Sequence, residues 1–154
     1  MGRFRPTPGD IFAVPRKDGG FRFIAHLTLN RFGHAFGMLQ GSYEFRSLPE
    51  RWNPIPVGYP VYTGATLVRS GKWHLIGKAK EVLALFPQKI EIFHRKTDNL
   101  ADPKIGPFGS GETSESELRN LSEGEAYDID LGNTYRQIML EEQFEDHLER
   151  TIGR

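Results

Sequence analysis

The stretch from Gly9 to Asn30 constrains the fold of this chain more than any other, because it carries the marks of a β-hairpin. Gly9-Asp10 precedes Ile11-Phe12-Ala13-Val14-Pro15, a short apolar run with β-branched and aromatic side chains. Lys17-Asp18-Gly19-Gly20 follows, and an Asp-Gly pair suits the positive-φ positions that reverse a hairpin. Beyond the turn Phe21, Phe23, Ala25, Leu27 and Leu29 alternate with Arg22, His26, Thr28 and Asn30, and only Ile24 breaks the rhythm. Successive side chains on a strand point to opposite faces, so this pattern predicts one row on a core and the other toward water. His26 falls on the polar row and is expected at the surface.

The rest of the chain reads as more strands and then a helix. Gly33, Gly37 and Gly41 punctuate apolar residues, which suits short strands with bulges or turns. Pro49, Pro54, Pro56 and Pro60 crowd residues 49–60; proline fixes φ and removes a backbone donor, which predicts an extended loop. Val61–Arg69 and Lys72–Lys78 read as strands around Ser70-Gly71, Glu81–Phe86 as one helical turn, and Ile90–His94 as another strand. Residues 97–113, rich in Asp, Asn, Pro and Gly, read as a loop. Ser114-Glu115-Ser116-Glu117 fits a capping box opening a short helix to about Leu121, and Tyr127–Leu131 alternates like a strand. Tyr135–Ile152 lacks Gly and Pro. Its row Leu140, Phe144, Leu148 and Ile152 opposes Glu141, Glu145, Asp146 and Glu149, which predicts an amphipathic helix over about 135–152. The expected architecture is a single domain over residues 1–154, mainly β within the α+β class. It would be a curved antiparallel sheet or small SH3-like barrel carrying a C-terminal amphipathic helix.

A chain of 154 residues can bury a sizeable core, and 38% hydrophobic residues with 11 Phe, 5 Tyr and 2 Trp exclude a disordered one. Apolar runs such as Val82–Phe86 fall far short of the ~20 residues that span a bilayer. The opening Met1-Gly2-Arg3-Phe4-Arg5-Pro6 has no signal-like apolar segment, so the expected compartment is the cytoplasm, with no membrane partner. The absence of cysteine excludes disulfides, thiolate metal sites and cysteine nucleophiles. Net charge is zero, yet residues 1–77 carry +6 and residues 78–154 carry −6. Either the halves attract each other within the fold, or a polarised surface steers a charged partner.

Catalytic motifs are missing. There is no G-x-x-x-x-G-K-[ST] loop and no G-x-S-x-G elbow, and Gly106, Gly109 and Gly111 read as a flexible turn. His26, His34, His74, His94 and His147 show no metal-ligand spacing, and His147, set among acids, suggests a local ion pair. The pairs Glu141-Glu142 and Glu145-Asp146 read as the solvated face of a helix, and Asp128 with Asp130 offer only two ligands to a cation. No catalytic residue, metal or cofactor is therefore expected. Arg31, Arg46, Arg51, Arg69 and Lys72 interleave with Phe32, Phe45, Trp52, Tyr59 and Tyr62, a mixture that small nucleic-acid-binding β-barrels use. Against it, the zero net charge supplies no overall drive toward phosphates.

Two blocks carry a resemblance. Gly9-Asp10-Ile11-Phe12-Ala13-Val14-Pro15, followed by Asp18-Gly19-Gly20-Phe21-Arg22-Phe23, resembles the opening of the immunity protein 26 family. Gly71-Lys72-Trp73-His74-Leu75-Ile76-Gly77 is similar to that family's "G-x-W-x-x-I-G" segment. The resemblance implies a non-enzymatic protein of a bacterial polymorphic toxin system, which binds its cognate toxin domain in the cytoplasm and blocks it by stoichiometric occlusion. Gly9, Asp10, Phe12, Pro15, Gly19, Trp73, Ile76 and Gly77 carry the motif and are expected to be structural, with Gly9 and Gly77 meeting backbone demands and Phe12 and Trp73 filling the core. The family pattern assigns no toxin contact. Arg46, Arg51, Trp52 and Tyr59, in and beside the proline-rich loop, are the partner-binding candidates from local reasoning, because Trp, Tyr and Arg dominate hot spots. A small β-barrel nucleic-acid-binding module is the alternative.

Overall fold

The computed structural model describes residues 4–30, 33–87, 91–96, 99–107, 119–120 and 139–152. Its contacts fall into two compact units, Met1–Phe86 with Ile138–Arg154, and Pro87–Gln137. The first unit is built on five strands: β1 (Asp10–Pro15), β2 (Phe21–Asn30), β3 (Gly33–Leu39), β4 (Pro56–Thr63) and β5 (His74–Lys78). They form an antiparallel sheet in the order β4-β3-β2-β1-β5, so β4 and β5 are edges and the sheet is open. With helix α2 (Glu141–Ile152) this is the mainly β, α+β arrangement expected, in its open-sheet rather than barrel form. Gly19 (φ 94°) and Gly20 (φ 76°) turn β1 into β2, and the Arg16 amide donates to the Gly20 carbonyl at 3.0 Å.

Register shows which face of β2 meets the main core. Phe12 lies opposite Ile24, Ile24 opposite Met38, and Phe36 opposite Val61. This row, with Val14 and Trp73, packs against Phe144, Leu148 and Ile152 of α2. Ile24, the residue that interrupts the alternation, therefore marks the core face. The row read as solvent-facing lies on it, with Arg22 only 3% exposed and His26 only 1%. The opposite row is buried too. Tyr43 stacks on Phe23 at 3.9 Å, and the Phe86 ring occupies the space beside Gly37, where a Cβ would lie 2.3 Å away. A register shift between His26 and Thr28 interrupts the alternation, and Leu29 beyond it is exposed. His26 is a core residue, not a surface one.

The segments around the sheet differ from expectation in five places. The proline-rich stretch is a loop only to Ile55, because Pro56 and Pro60 belong to β4; an edge strand tolerates proline, whose missing donor leaves no neighbour unpaired. After Thr63 the chain forms helix α1 (Thr66–Ser70) instead of continuing as a strand to Arg69. The Glu141 carboxylate of α2 accepts the α1 amides of Thr66 (3.2 Å) and Leu67 (2.6 Å), a cap supplied from far along the chain. Helix α2 starts at Glu141, and Leu140, 72% exposed, is outside the apolar row. The Leu140 amide donates to Gln143 Oε1 at 3.1 Å, the backward half of a capping box. His147 is buried beside Phe144 and Leu148 rather than ion-paired. Lys80–Leu85 form a 3-10 helix where one helical turn was expected.

The second unit contains β6 (Glu91–Lys96), β7 (Asn99–Pro107) and β8 (Arg119–Asn120), antiparallel in that order. β6 coincides with the strand expected at Ile90–His94. β7 replaces the expected loop over 97–113 between 99 and 107, and Gly106 lies within it opposite Ile92, not in a turn. Arg119–Asn120 pair with β7 and so do not end a helix to Leu121. Pairing with β6 organises β7, and local composition does not register a partner strand. Residues 114–117, 127–131 and 135–138, with Gly109 and Gly111, lie outside the described residues. Among the described residues no helix is long and apolar enough to cross a membrane.

Part of the charge asymmetry is met within the first unit, where α2 faces basic residues in and beside the sheet. Arg16 and Arg22 face Glu149, Lys17 meets Asp146 at 3.0 Å, and Lys72 meets Glu145 at 3.1 Å. The basic half and the acidic helix attract each other across the fold.

Candidate functional site

Between β3 and β4 the chain makes a long excursion that the sheet holds at several points. Its base closes where the Gln40 amide donates to the Ile55 carbonyl at 2.8 Å. Tyr43 and Phe21 exchange both backbone hydrogen bonds, at 2.7 and 2.9 Å, so the loop begins as a single extra rung on β2. The Tyr43 ring lies flat on Phe23, and the Trp52 indole stands edge-on to the same ring at 6.1 Å. Trp52 Nε1 donates to the Tyr43 hydroxyl at 3.1 Å. Farther along, Leu48 fills the space that a side chain at Gly77 of β5 would take, its Cδ1 2.6 Å from the position of such a Cβ. Beneath the loop, Arg16 Nη1 donates to Ser42 Oγ at 2.6 Å and Arg22 Nη1 to the Gly41 carbonyl at 3.1 Å.

These anchors decide which side chains turn outward. Phe45 is 69% exposed and Ile55 50%, and Arg46 and Arg51 are exposed on the same excursion. Of the four partner-binding candidates, Arg46 and Arg51 thus lie on the outer surface of the loop. Trp52 is half-buried in its brace, and Tyr59 is half-buried on β4 beyond the loop's end. Phe45 and Ile55 were not among the four. Phe45 did figure in the basic and aromatic series, and Ile55, set between Pro54 and Pro56, had no signal beyond that placement. An exposed aromatic ring that shares with two exposed arginines a loop already held in shape is suited to docking on another macromolecule.

The motif residues lie in and beside β1 and β5 and in the β1–β2 turn. Phe12 and Trp73 are fully buried, and the Trp73 indole donates to Glu145 at 3.2 Å. Gly9 has a φ of 95° and accepts the Ala79 amide at 2.8 Å. Asp10 is buried, accepts the Thr7 amide at 2.9 Å and faces Lys78 at 3.6 Å. Pro15 ends β1, Gly19 forms the hairpin turn, and Ile76 and Gly77 lie on β5.

Three other groupings bear on chemistry. His26 Nε2 and His34 Nδ1 are 2.9 Å apart and buried, and His26 Nδ1 has no hydrogen-bond partner. Burial first, and then the neighbouring His34, push His26 down to about 4; burial also lowers His34 and His147. Among the described residues no group of three or more His, Asp or Glu could hold a metal ion. A cleft of 350 Å³ separates the β1–β2 turn from α2, but Arg16, Lys17 and Lys72 on one wall pair with Glu149, Asp146 and Glu145 on the other, so most of its charge is matched internally. The basic and aromatic series is not gathered on one surface: Tyr62 is buried, Trp52 is in the brace, Lys72 pairs with Glu145, and Arg31 and Phe32 lie outside the described residues. Comparisons with family models, with curated proteins and with solved structures return no match for this chain.

Proposed function

We propose that the protein is a non-enzymatic immunity protein that binds a cognate bacterial toxin domain in the cytoplasm and blocks it by stoichiometric occlusion, with the 40–55 loop as its binding surface. The observation that carries this is the loop itself. Phe45 stands 69% exposed between Glu44 and Arg46 while Tyr43 and Trp52 lock the backbone onto Phe23. Burying an exposed phenylalanine is worth about 1.5–3 kcal/mol, and a loop held in advance spares about 0.5–1.5 kcal/mol for each side chain not newly ordered. The resemblance of the Gly9–Phe23 and Gly71–Gly77 blocks to an immunity protein family supports the choice of partner. Those motif residues support the sheet, which leaves the loop to carry specificity.

The test is co-expression with the toxin domain encoded beside this gene, read as cell survival and as a co-purifying complex. Survival with a one-to-one complex, lost in the Phe45→Ala/Arg46→Ala double variant, is the expected result. Death without a complex, the protein being folded, would overturn the assignment for that partner.

A further inference from the structure

We infer that Glu149 of α2 is a positioning residue for the 40–55 loop, acting through Arg16 and Arg22. Its role in partner binding, though not its hold on the loop, rests on the function proposed above. Glu149 Oε1 accepts Arg16 Nε at 3.3 Å, and Oε2 lies 3.7 Å from Arg22 Nη2. Each arginine spends another nitrogen on the loop, Arg16 on Ser42 Oγ at 2.6 Å and Arg22 on the Gly41 carbonyl at 3.1 Å. One carboxylate on the helix thus governs two guanidinium groups that hold consecutive loop residues. Those residues immediately precede Tyr43, where the aromatic brace begins.

The arrangement is strongly coupled because Arg22 has so little freedom. Its side chain is 4% exposed and its Nε has no partner. A guanidinium stays charged at any ordinary pH, so this buried group must keep a counter-charge close by. Arg16 repels it and Glu149 attracts it. Asp18 also reaches Arg16, at 3.3 Å, but is 77% exposed and makes no ion pair with Arg22. Removing the charge of Glu149 leaves the two neighbouring guanidinium groups, among the described residues, with that exposed carboxylate as their one remaining ion-pair partner. The relief open to Arg22 is to swing toward water, which releases the Gly41 carbonyl. The loop is then held by its aromatic contacts without its base.

The test is Glu149→Gln in the full chain, which keeps the shape and an acceptor oxygen but removes the charge. Hydrogen exchange at the amides of residues 41–55 and at the Trp52 indole N–H is compared with exchange in β1 and β2. Loss of one charge-assisted hydrogen bond at the base predicts loop exchange roughly tenfold faster while the strand amides hold their rates. Ser42→Ala, which cuts the Arg16 branch without touching the helix, should give a smaller change in the same direction and serves if Glu149→Gln does not fold. Unchanged loop exchange, or equal acceleration everywhere, would overturn the inference, since a purely stabilising contact loosens the whole sheet. Dissociation of the toxin complex supplies the second readout. Faster loop exchange with roughly tenfold faster dissociation supports both ideas. Faster loop exchange with dissociation unchanged leaves Glu149 in control of the loop and removes the loop as the toxin surface.

Discussion

His26 offers a way to read the core through pH. Its Nε2 lies 2.9 Å from His34 Nδ1, so one proton serves both nitrogens when the imidazoles are neutral. Charging His26 would place a cation at 1% exposure beside a second ring, and this holds it at about 4. Asp10 and the Thr7 backbone favour the charged form, and Lys78 opposes it. In the unfolded chain the imidazole returns to about 6.5. Between these values the unfolded state binds a proton that the folded state refuses, so stability falls as pH falls. Linkage gives a loss of about 2 kcal/mol between pH 7 and 5, and about 3 kcal/mol once pH 4 is passed. Urea unfolding at pH 7, 6 and 5 should show the wild-type midpoint falling by about 1 M, for a slope near 2 kcal/mol per M. His26→Gln should start lower but lose about 2 kcal/mol less over the same range. His147, lowered by the same burial, remains in both proteins, so the difference between the curves reports the contacting His26–His34 pair. Parallel curves, or a His26 ring signal that titrates near 6.5 in the folded protein, would refute the reasoning.

Three further outcomes follow from packing and capping. Phe144→Ala removes a fully buried ring that contacts Phe36 and Trp73, and should cost about 3–5 kcal/mol in denaturant unfolding. Gly37→Ala puts a methyl group where the Phe86 ring lies and should cost about 1–3 kcal/mol; Phe86→Leu should cost less in that background than in the wild type, as a double-mutant cycle would show. Glu141→Gln weakens the cap on α1 and should lower stability by about 1 kcal/mol, with amide exchange rising first at Thr66 and Leu67.

The β1–β2 hairpin was legible because its signals are local: an Asp-Gly turn signal, with the positive φ falling one residue later on Gly19 and Gly20, and a period of two. Its inward face was not. Alternation separates two rows, but only the tertiary cover decides which row meets the core, and here α2 covers one face while Tyr43, Trp52 and Phe86 cover the other. Helix α1 was missed for a related reason. Thr66–Ser70 has little helical character of its own, and the carboxylate that caps it comes from Glu141. In the candidate surface, composition drew attention to the 40–55 loop through its arginines and aromatics. It could not tell that Trp52 turns inward as a brace while Phe45 turns outward, since both are large aromatic residues in a proline-rich context.

The helix that completes the main core is translated long after the sheet it covers. Phe12, Ile24, Phe36 and Trp73 all precede Phe86, whereas Phe144, Leu148 and Ile152 follow the whole of the second unit. At roughly 5–20 residues per second, a ribosome needs about 3–10 s to pass from Phe86 to Glu141. For that interval the nascent sheet can be fully paired yet bare on its most apolar face, with the Arg22 charge not yet met by Glu149. The newborn chain then presents that apolar face to water and to other chains. A translational pause placed before Glu141 should lengthen that exposure and lower the soluble yield, whereas one placed after Ile152 should not.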